Sequence, residues 1–343
     1  MHVRFLLAAT TLVAVELCAA TSAVAATTTT TGVGQGSSSS TTTGPTIRPV
    51  FVDPLTHLPD PHHLTKHRSA LTIKVENTPE AHPQAGIDQA DVIYEEIVEG
   101  GITRLAAIFD AHLPTKVGPV RSVRRTDREI VAPIHGIFVF SGGAPYALTS
   151  IESAPVTLFD ESNAGAAMFR DPTRYAPHNL YANAVRLMAM GPKPYIPPPL
   201  FSYGSFKAPA TGIRVGSFVV NFPAGYAVSY QWDRTTHSWV RSIFAHPDFT
   251  ATHVRLSPTN VIVMKVHYLG GLGRLGAEAQ LVGSGPVDVF SDGRLQRGDW
   301  FRSQIGQRTV YRNVHGQTID LRPGQTWVEL LDASETVSVV APK

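Results

Sequence analysis

Gly118-Pro119-Val120-Arg121-Ser122-Val123-Arg124-Arg125 places three arginines and a serine within eight residues, directly after a Gly-Pro turn. Proline fixes its own φ and biases the residue before it toward extended backbone, so this turn is rigid. Thr126 and Glu129 follow with the spacing of a capping box, which predicts a short helix over about 127–132. The arginines therefore lie in the loop that enters the first helical turn.

This arrangement indicates an anion site. A helix N-terminus carries unpaired N–H groups and a partial positive charge. Arg121, Arg124 and Arg125 add guanidinium donors, which bind carboxylates and phosphates well. The alternative interpretation is that the arginines form ordinary ion pairs, since such networks also gather charge. The available partners would be Glu95, Glu96, Glu99 and Asp127.

The N-terminus has the features of an export signal. Arg4 is followed by an apolar run over 5–15 and then by Ala23-Val24-Ala25, which fits a cleavage site. We therefore predict a signal peptide over 1–26. The apolar run is too short to cross a bilayer, and no later run approaches the necessary length, so the sequence predicts no transmembrane helix.

The chain has a single cysteine, Cys18, so it can form no disulfide within itself. A lipid-modified cysteine normally follows a small residue, whereas Leu17 precedes Cys18. A secreted or otherwise extracytoplasmic protein without a lipid anchor is the favoured interpretation. Residues 27–49 are mostly Thr, Ser and Gly, which predicts a disordered linker because little apolar surface is available to offset ordering.

Residues 50–191 have the pattern of an α+β domain. Apolar alternation and β-branched runs predict strands over 70–75, 91–98, 102–109 and 136–140, and helical spacing predicts helices over 145–151 and 182–190. A hairpin at Gly100-Gly101 would bring Glu99 and Arg104 to the same end. The glycines of Ser141-Gly142-Gly143 would let the backbone approach a ligand closely.

His178 and Asn179 form a second polar group. Histidine titrates near neutral pH, so His178 is the candidate acid or base, with Glu95 or Glu99 as a second carboxylate. The alternative is a structural histidine beside Tyr181. The spacing of the histidines between 57 and 67 matches no zinc motif, and we predict no metal and no cofactor.

Residues 192–211 contain five prolines in their first eight positions, which predicts a semi-rigid linker. From 212 to 343 the pattern becomes β-rich, with strands predicted over 217–222, 227–232, 261–268 and 327–331. We expect a smaller, mostly antiparallel β domain. Its tryptophans either line a glycan-binding groove or belong to the core. They are Trp232, Trp239, Trp300 and Trp327.

Several short motifs occur in an order that resembles the YerB-like bacterial proteins, the DUF3048 family of unknown function, in which lipoproteins are common. The motifs are Pro54-Leu55-Thr56, Leu58-Pro59, 86–91 with Tyr94-Glu95, 99–104, 118–124, 176–181 and Gly324-Gln325-Thr326-Trp327. The resemblance implies a layered sheet-and-helix N-terminal domain, a smaller C-terminal domain and an extracytoplasmic location. It implies no established activity. The positions that match its polar motifs are Arg104, Arg121, Ser122, Arg124, His178 and Asn179.

Three functions are compatible with these observations. The favoured one is binding of a carboxylate- or phosphate-bearing wall component through Arg104, Arg121 and Arg124, with Ser122 and Asn179 adding hydrogen bonds. The second is an envelope interaction or assembly factor that uses an open sheet edge. The third is a hydrolase with His178 as acid or base. The formal charge of +2 argues against nucleic acid, and the sequence predicts no particular oligomeric state.

Overall fold

The structure, a computed structural model, describes residues 50–204, 211–270 and 276–342. Pro49–Lys343 form one compact unit. The predicted signal peptide, the predicted disordered linker and Cys18 lie outside the described residues, as does the 205–210 part of the predicted proline-rich linker.

Strands dominate the described residues. Three α-helices occur among them: α1 Arg125–Val131, α2 Pro145–Glu152 and α3 Ala184–Met190. The strands are β1 Leu71–Glu76, β2 Val92–Ile97, β3 Thr103–Phe109, β4 Ile137–Val139, β5 Thr157–Phe159, β6 Met168–Arg170, β7 Leu180–Ala182, β8 Ile213–Arg214, β9 Ser217–Asn221, β10 Ala227–Asp233, β11 Ser238–Ile243, β12 His246–Pro247, β13 Asn260–Val266, β14 Tyr268–Leu269, β15 Glu278–Ala279, β16 Gly283–Ser291, β17 Arg294–Arg302, β18 Val310–Asn313, β19 Thr326–Asp332 and β20 Thr336–Val340. Short 3₁₀ turns span Thr65–His67, Pro79–Ala81, Ile87–Gln89, Glu99–Gly101, Gly165–Ala167 and Pro223–Gly225.

The main sheet has 11 strands in the order β18-β17-β16-β13-β19-β2-β3-β1-β4-β5, with β8 paired to β17. β3 runs antiparallel to both β1 and β2, which confirms the predicted hairpin. β4 runs parallel to β1 and to β5. The carboxyl ends of β1 and β4 therefore meet at one edge, where the candidate site lies.

The C-terminal region contributes a strand to the centre of this sheet. β19 lies parallel between β2 and β13, so strands from 50–191 and from 212–343 share one set of ladder hydrogen bonds. The predicted fold class is confirmed: the chain is mostly β with few helices, and it has an N-terminal domain and a smaller β-rich C-terminal domain. The division at 192–211 stays a prediction.

A second, five-stranded sheet has the order β12-β11-β10-β9-β20 and is antiparallel throughout. Its inner face packs on the main sheet, where the Phe218 and Phe290 rings stack 3.5 Å apart between centroids. Trp239 and Trp327 are fully buried, and Trp300 is 3% exposed. Of the two alternatives for the tryptophans, the core interpretation is therefore correct for these three.

Helix α1 confirms the predicted short helix but not its capping box. The helix begins at Arg125, and Asp127 Oδ2 accepts the Arg124 backbone N–H at 2.6 Å. Thr126 Oγ1 and Glu129 Oε2 instead accept backbone N–H groups of the β15 segment, at 2.9 and 2.6 Å. The predicted capping residues thus attach the helix to a distant segment.

Both faces of the main sheet are buried, so neighbouring residues on a strand enter different cores. On β2, Glu96 points toward the core that contains α1 and α2, and Glu95 points toward the five-stranded sheet. Each face holds its own buried polar network. This alternation decides which of the predicted site residues can meet.

Candidate functional site

The arginine segment lies extended across the carboxyl edge of the main sheet. The Arg121 backbone N–H donates to the Lys74 carbonyl of β1 at 2.9 Å. Beyond β4, Ser141 N–H donates to the Arg121 carbonyl, and Val123 N–H donates to the Gly142 carbonyl, both at 3.0 Å. The glycine-rich turn after β4 and the arginine segment therefore form one surface. Gly142 has φ +105°, and no atom lies within 4 Å of where a Cβ would be.

Arg104 reaches this surface from β3. It lies in register between Glu76 on β1 and Glu96 on β2, and so the three side chains share a face. Arg104 Nη1 donates to the Ser122 carbonyl at 2.9 Å, and Arg124 Nη1 donates to the same oxygen at 3.3 Å. A single backbone carbonyl thus holds two guanidinium groups side by side.

Each arginine of the 118–125 segment has a carboxylate partner. The pairs are Arg121–Glu76 at 2.6 Å, Arg124–Glu99 at 2.5 Å and Arg125–Glu278 at 3.2 Å. Burial raises the pKa of Glu99, but hydrogen bonds from Arg124 and the backbone, together with the Arg124 and Arg104 charges, lower it overall. The ion-pair alternative therefore describes the contacts of these three arginines.

Arg104 differs from the other arginines of the site. Among the described residues no carboxylate lies within 4.0 Å of its guanidinium, and its Nε and Nη2 donate to no described protein group. Burial, followed by the nearby Arg124 charge, lowers the pKa of Arg104 to about 10. The charges of Glu99 and Glu96 oppose this lowering in part. Arg104 is therefore a charged group that lies near carboxylates but has no direct ion-pair partner among the described residues.

Next to Arg104 lies a fully buried cluster, in which Glu96 Oε2 has no hydrogen-bond partner among the described residues. Lys74 Nζ donates to Asp127 Oδ1 at 2.8 Å and contacts Glu96 Oε1. Burial raises the pKa of Glu96, which moves this carboxyl toward its neutral form. Since Lys74 already engages both acids, the cluster anchors α1 to β1 and offers Arg104 no direct partner.

His178 joins the site from the segment before β7. Its Nδ1 lies 2.9 Å from Glu76 Oε2 and 3.5 Å from Arg121 Nη2. Thr78 Oγ1 donates to Glu76 Oε1 at 3.0 Å, so the carboxylate that orients His178 is itself held. The structure therefore brings His178, Arg104, Arg121 and Arg124 together.

Asn179 and Glu95 lie elsewhere. Asn179 Oδ1 accepts from Arg170 Nη1 at 2.8 Å, in a contact that closes a surface loop. Glu95 is fully buried on the opposite sheet face, where Arg241 Nη2 and Thr103 Oγ1 each donate to it at 2.6 Å. Ser122 contributes its carbonyl to the site, and no described group bonds its half-buried hydroxyl. Of the candidate carboxylates, only Glu99 lies at the arginines.

Glu76 is the site residue that the sequence analysis missed. The predicted strand ended at 75, one residue short of it. Strand parity would have placed Glu76 on the same face as Lys74, next to any arginine arriving from the neighbouring strand.

Three further observations concern the described residues as a whole. The described residues contain no group of three or more His, Cys, Asp or Glu side chains that could hold a metal ion. A cavity of about 780 Å³ lies in the C-terminal region, lined in part by Ile213, Leu295 and Val314. Its lining includes Gly204 and Thr211, which flank in sequence a stretch that the structure does not describe, so no function is assigned to it. Within the described ranges, no helix is both long and apolar enough to cross a membrane.

Comparison with known proteins places the chain in a family. Residues 55–194 match the N-terminal domain and residues 218–328 the C-terminal domain of the protein family of unknown function DUF3048. The chain belongs to this family, and the resemblance noted from the motifs is confirmed. A curated relative, "Putative lipoprotein YerB" of Bacillus subtilis (strain 168), is 26% identical over 296 residues, which cover 83% of this chain and 88% of the relative. The crystal structure of the YerB protein from Bacillus subtilis matches with a TM-score of 0.73 and 25% identity, over 84% of this chain and 99% of that one.

Proposed function

We propose that this chain works outside the cytoplasm, in the cell envelope, and binds an anionic group at Arg104 beside Arg124 and Arg121. One observation carries the proposal: a partly buried guanidinium with no carboxylate partner among the described residues. Cations removed from water are normally paired, because the uncompensated charge is costly. A phosphate or carboxylate oxygen that accepted from Arg104 Nε and Nη2 would supply the missing partner.

The surrounding ion pairs support the same function. Glu76 and Glu99 hold Arg121 and Arg124 in place without occupying Arg104. Donors that are already fixed lose little side-chain entropy when a ligand arrives. Only two carboxylates at this surface, Glu76 and Glu99, pair directly with its arginines, so an incoming anion would find Arg104 without a direct ion pair among the described residues.

The location rests on separate support. The leader has the pattern of an export signal. The name of the Bacillus subtilis relative describes that protein as a lipoprotein. A carboxylate- or phosphate-bearing wall component is therefore the ligand class that we favour, with an acidic segment of an envelope protein as the other candidate partner.

Replacing Arg104 with glutamine will lower the affinity for inorganic phosphate by about tenfold or more. A net charge-assisted hydrogen bond contributes about 1.5–3 kcal/mol, and about 1.4 kcal/mol is a tenfold change in Kd. Calorimetric titration of the chain with phosphate at low ionic strength measures the effect. Citrate and muropeptides test whether a carboxylate serves as well.

Arg234→Gln is the matched control, since Arg234 is an exposed arginine in the turn between β10 and β11. It will bind phosphate as the unmodified chain does. Wild-type affinity in Arg104→Gln, with an unchanged unfolding transition, would contradict the proposal. The absence of any response to phosphate, citrate or muropeptides would contradict it as well.

Acid–base chemistry at the same surface is a second candidate function, favoured by the 2.9 Å contact between His178 and Glu76. A carboxylate that holds one ring nitrogen of a histidine leaves the other nitrogen for proton transfer. If the chain hydrolyses a wall polymer, His178→Gln will lower the rate by about a hundredfold or more, which product release will measure. Retention of the rate by this variant would exclude the role.

An interaction or assembly role is the third candidate. β20 ends the five-stranded sheet, and its outer side pairs with no described strand. An open strand of this kind can accept a strand from a partner. Recovery of a specific envelope protein by the chain, together with no response to any anion, would favour this function over ligand binding.

A further inference from the structure

The loop that carries His178 is anchored at several points. It connects β6 to β7 and is closed at its base, where Asp171 N–H donates to the Asn179 carbonyl at 2.8 Å. Lys116 Nζ pairs with Asp171 Oδ2 at 2.5 Å, and the Arg170 side chain bonds Asn179. The ends of the loop are therefore held by both backbone and side-chain contacts.

A second set of contacts holds the middle of the loop. Arg174 Nη2 donates to the Glu80 carbonyl at 2.6 Å, and Arg174 Nη1 donates to Tyr181 Oη at 2.9 Å. On the other side of the tip, His178 contacts the Glu76 carboxylate. The three residues between these two anchors are thus held on both sides by side-chain contacts.

Those three residues, Tyr175, Ala176 and Pro177, are exposed. The Tyr175 side chain is 89% exposed, the highest value among the exposed large hydrophobic residues of the described chain. Its carbonyl accepts the His178 backbone N–H at 2.8 Å. This bond defines a β-turn, whose first and fourth Cα atoms lie within about 7 Å of each other. Tyr175 therefore lies next to His178, which contacts Arg121.

An exposed aromatic ring on a fixed backbone is suited to binding. Tyrosine offers a large apolar face and a polar tip, and it has few rotatable bonds to immobilise. An anchored loop adds little further ordering cost when a ligand contacts it. A lone tyrosine beside a cationic surface therefore fits a ligand that has both a ring and a negative charge.

We propose that Tyr175 forms the ring-binding part of the site and that the ligand class is an acidic sugar, a glycosyl unit that carries a phosphate or a carboxylate. This inference rests on the proposed anion binding at Arg104. The apolar face of a pyranose would pack on the tyrosine ring while its anionic group bonds the arginines. A sugar fits better than a nucleobase, because no second exposed aromatic side chain is present in the loop to enclose a flat base.

The test compares ligands and variants on the full chain by calorimetric titration. The probes are inorganic phosphate, N-acetylglucosamine 1-phosphate, glucuronic acid, neutral N-acetylglucosamine and adenosine monophosphate. In the unmodified chain, the sugar phosphate will bind more tightly than inorganic phosphate, and the neutral sugar more weakly than both. Glucuronic acid binding would show that a carboxylate replaces the phosphate.

Tyr175→Ala will weaken sugar-phosphate binding by about fivefold to tenfold and leave inorganic phosphate unchanged, as expected for the loss of one aromatic contact. Tyr175→Phe will keep the affinity, because the ring face remains. Tyr195→Ala is the control, since Tyr195 is 44% exposed and stacks on His135 outside this loop. It will have no effect on either ligand.

The outcomes separate this inference from the proposed function. Binding of inorganic phosphate and sugar phosphate with equal affinity, or an unchanged Tyr175→Ala variant, would overturn the ring-binding role and leave anion binding intact. Tighter binding of adenosine monophosphate than of the sugar phosphate would overturn the sugar assignment. If no anion of either kind binds, both proposals fail together.

Discussion

Replacing Arg241 with methionine will lower the free energy of unfolding by about 3–5 kcal/mol, the cost typical of removing one partner from a buried ion pair. Arg241 is fully buried and bonds Glu95 Oε2 at 2.6 Å, Tyr230 Oη at 3.2 Å and one Asp248 oxygen. Its guanidinium carbon lies 4.4 Å from the centroid of the Trp327 ring. Methionine fills similar volume but leaves Glu95 in the core without a cation and Asp248 with only His82, whose Nδ1 lies 3.6 Å from Asp248 Oδ1.

Chemical denaturation measures this loss. Arg297→Met is the matched control, because Arg297 pairs with Asp288 at 3.4 Å while its side chain is 61% exposed. Exposed pairs contribute about 0–1 kcal/mol, so the control will change stability little. A double variant that also carries Glu95→Gln will recover part of the loss, since neighbouring partners are not additive. Equal effects of Arg241→Met and Arg297→Met would contradict the assignment.

The same variant tests how the two family regions are joined. Glu95 belongs to the 50–191 region and Arg241 to the 212–343 region, while β19 inserts a C-terminal strand beside β2. Because both regions share this network and one sheet, we expect a single unfolding transition before and after the substitution. Two separate transitions would show that the regions fold independently.

Replacing Asp110 with asparagine will raise stability at alkaline pH and reduce the loss of stability between pH 4 and pH 9. Asp110 is fully buried, and neither carboxyl oxygen has a hydrogen-bond partner among the described residues. Burial, and then the nearby Asp53, raise the pKa of Asp110 to about 9 from its ordinary value of 3.8. The same two causes raise the pKa of Asp91 to about 8.

The direction in which stability changes with pH follows from the number of protons bound in the folded and unfolded states. Between these pKa values the folded state holds a proton on Asp110 that the unfolded state has released. Stability therefore falls as pH rises: the contribution is complete below about pH 4 and is lost by about pH 9. Asparagine is neutral in both states, so it removes this dependence. At pH 9 we expect a gain of at least about 1.4 kcal/mol, the value of a single pKa unit.

Denaturation curves at several pH values check this result. Asp171→Asn is a control of opposite sign, because the Lys116 hydrogen bond lowers the pKa of Asp171 well below its ordinary value. That variant will lose stability at neutral pH and approach the unmodified chain in strong acid. An Asp110→Asn profile that keeps the original slope would show that Asp110 is not protonated in the folded state.

Local pattern predicted the three α-helices and eight of the 20 strands in the described residues. The strands near 70–75, 91–98, 102–109 and 136–140 and the helix at 145–151 all occur close to their predicted bounds. The spacing of apolar residues in these segments indicates which face is buried, and burial of that face stabilises the strand or helix. Helix α3 was predicted two residues too early, because Ala182 still belongs to β7. The capping box was wrong because Thr126 and Glu129 bond the β15 segment, about 150 residues away.

The sequence by itself determined the family, the α+β fold class with a β-rich C-terminal domain, and the choice of Arg104, Arg121, Arg124 and His178 as polar candidates. Their chemistry and order along the chain are local properties, readable from residue types and spacing. Only the tertiary structure decided which charged side chains form ion pairs. Glu95 and Glu96 are neighbours in sequence, yet strand alternation sends them to opposite cores, toward Arg241 and Lys74. Ion pairing depends on the distances between charged side chains on different strands, and these distances are set by the packing of the sheet. The sequence alone therefore could not show that Arg104 has no direct carboxylate partner among the described residues.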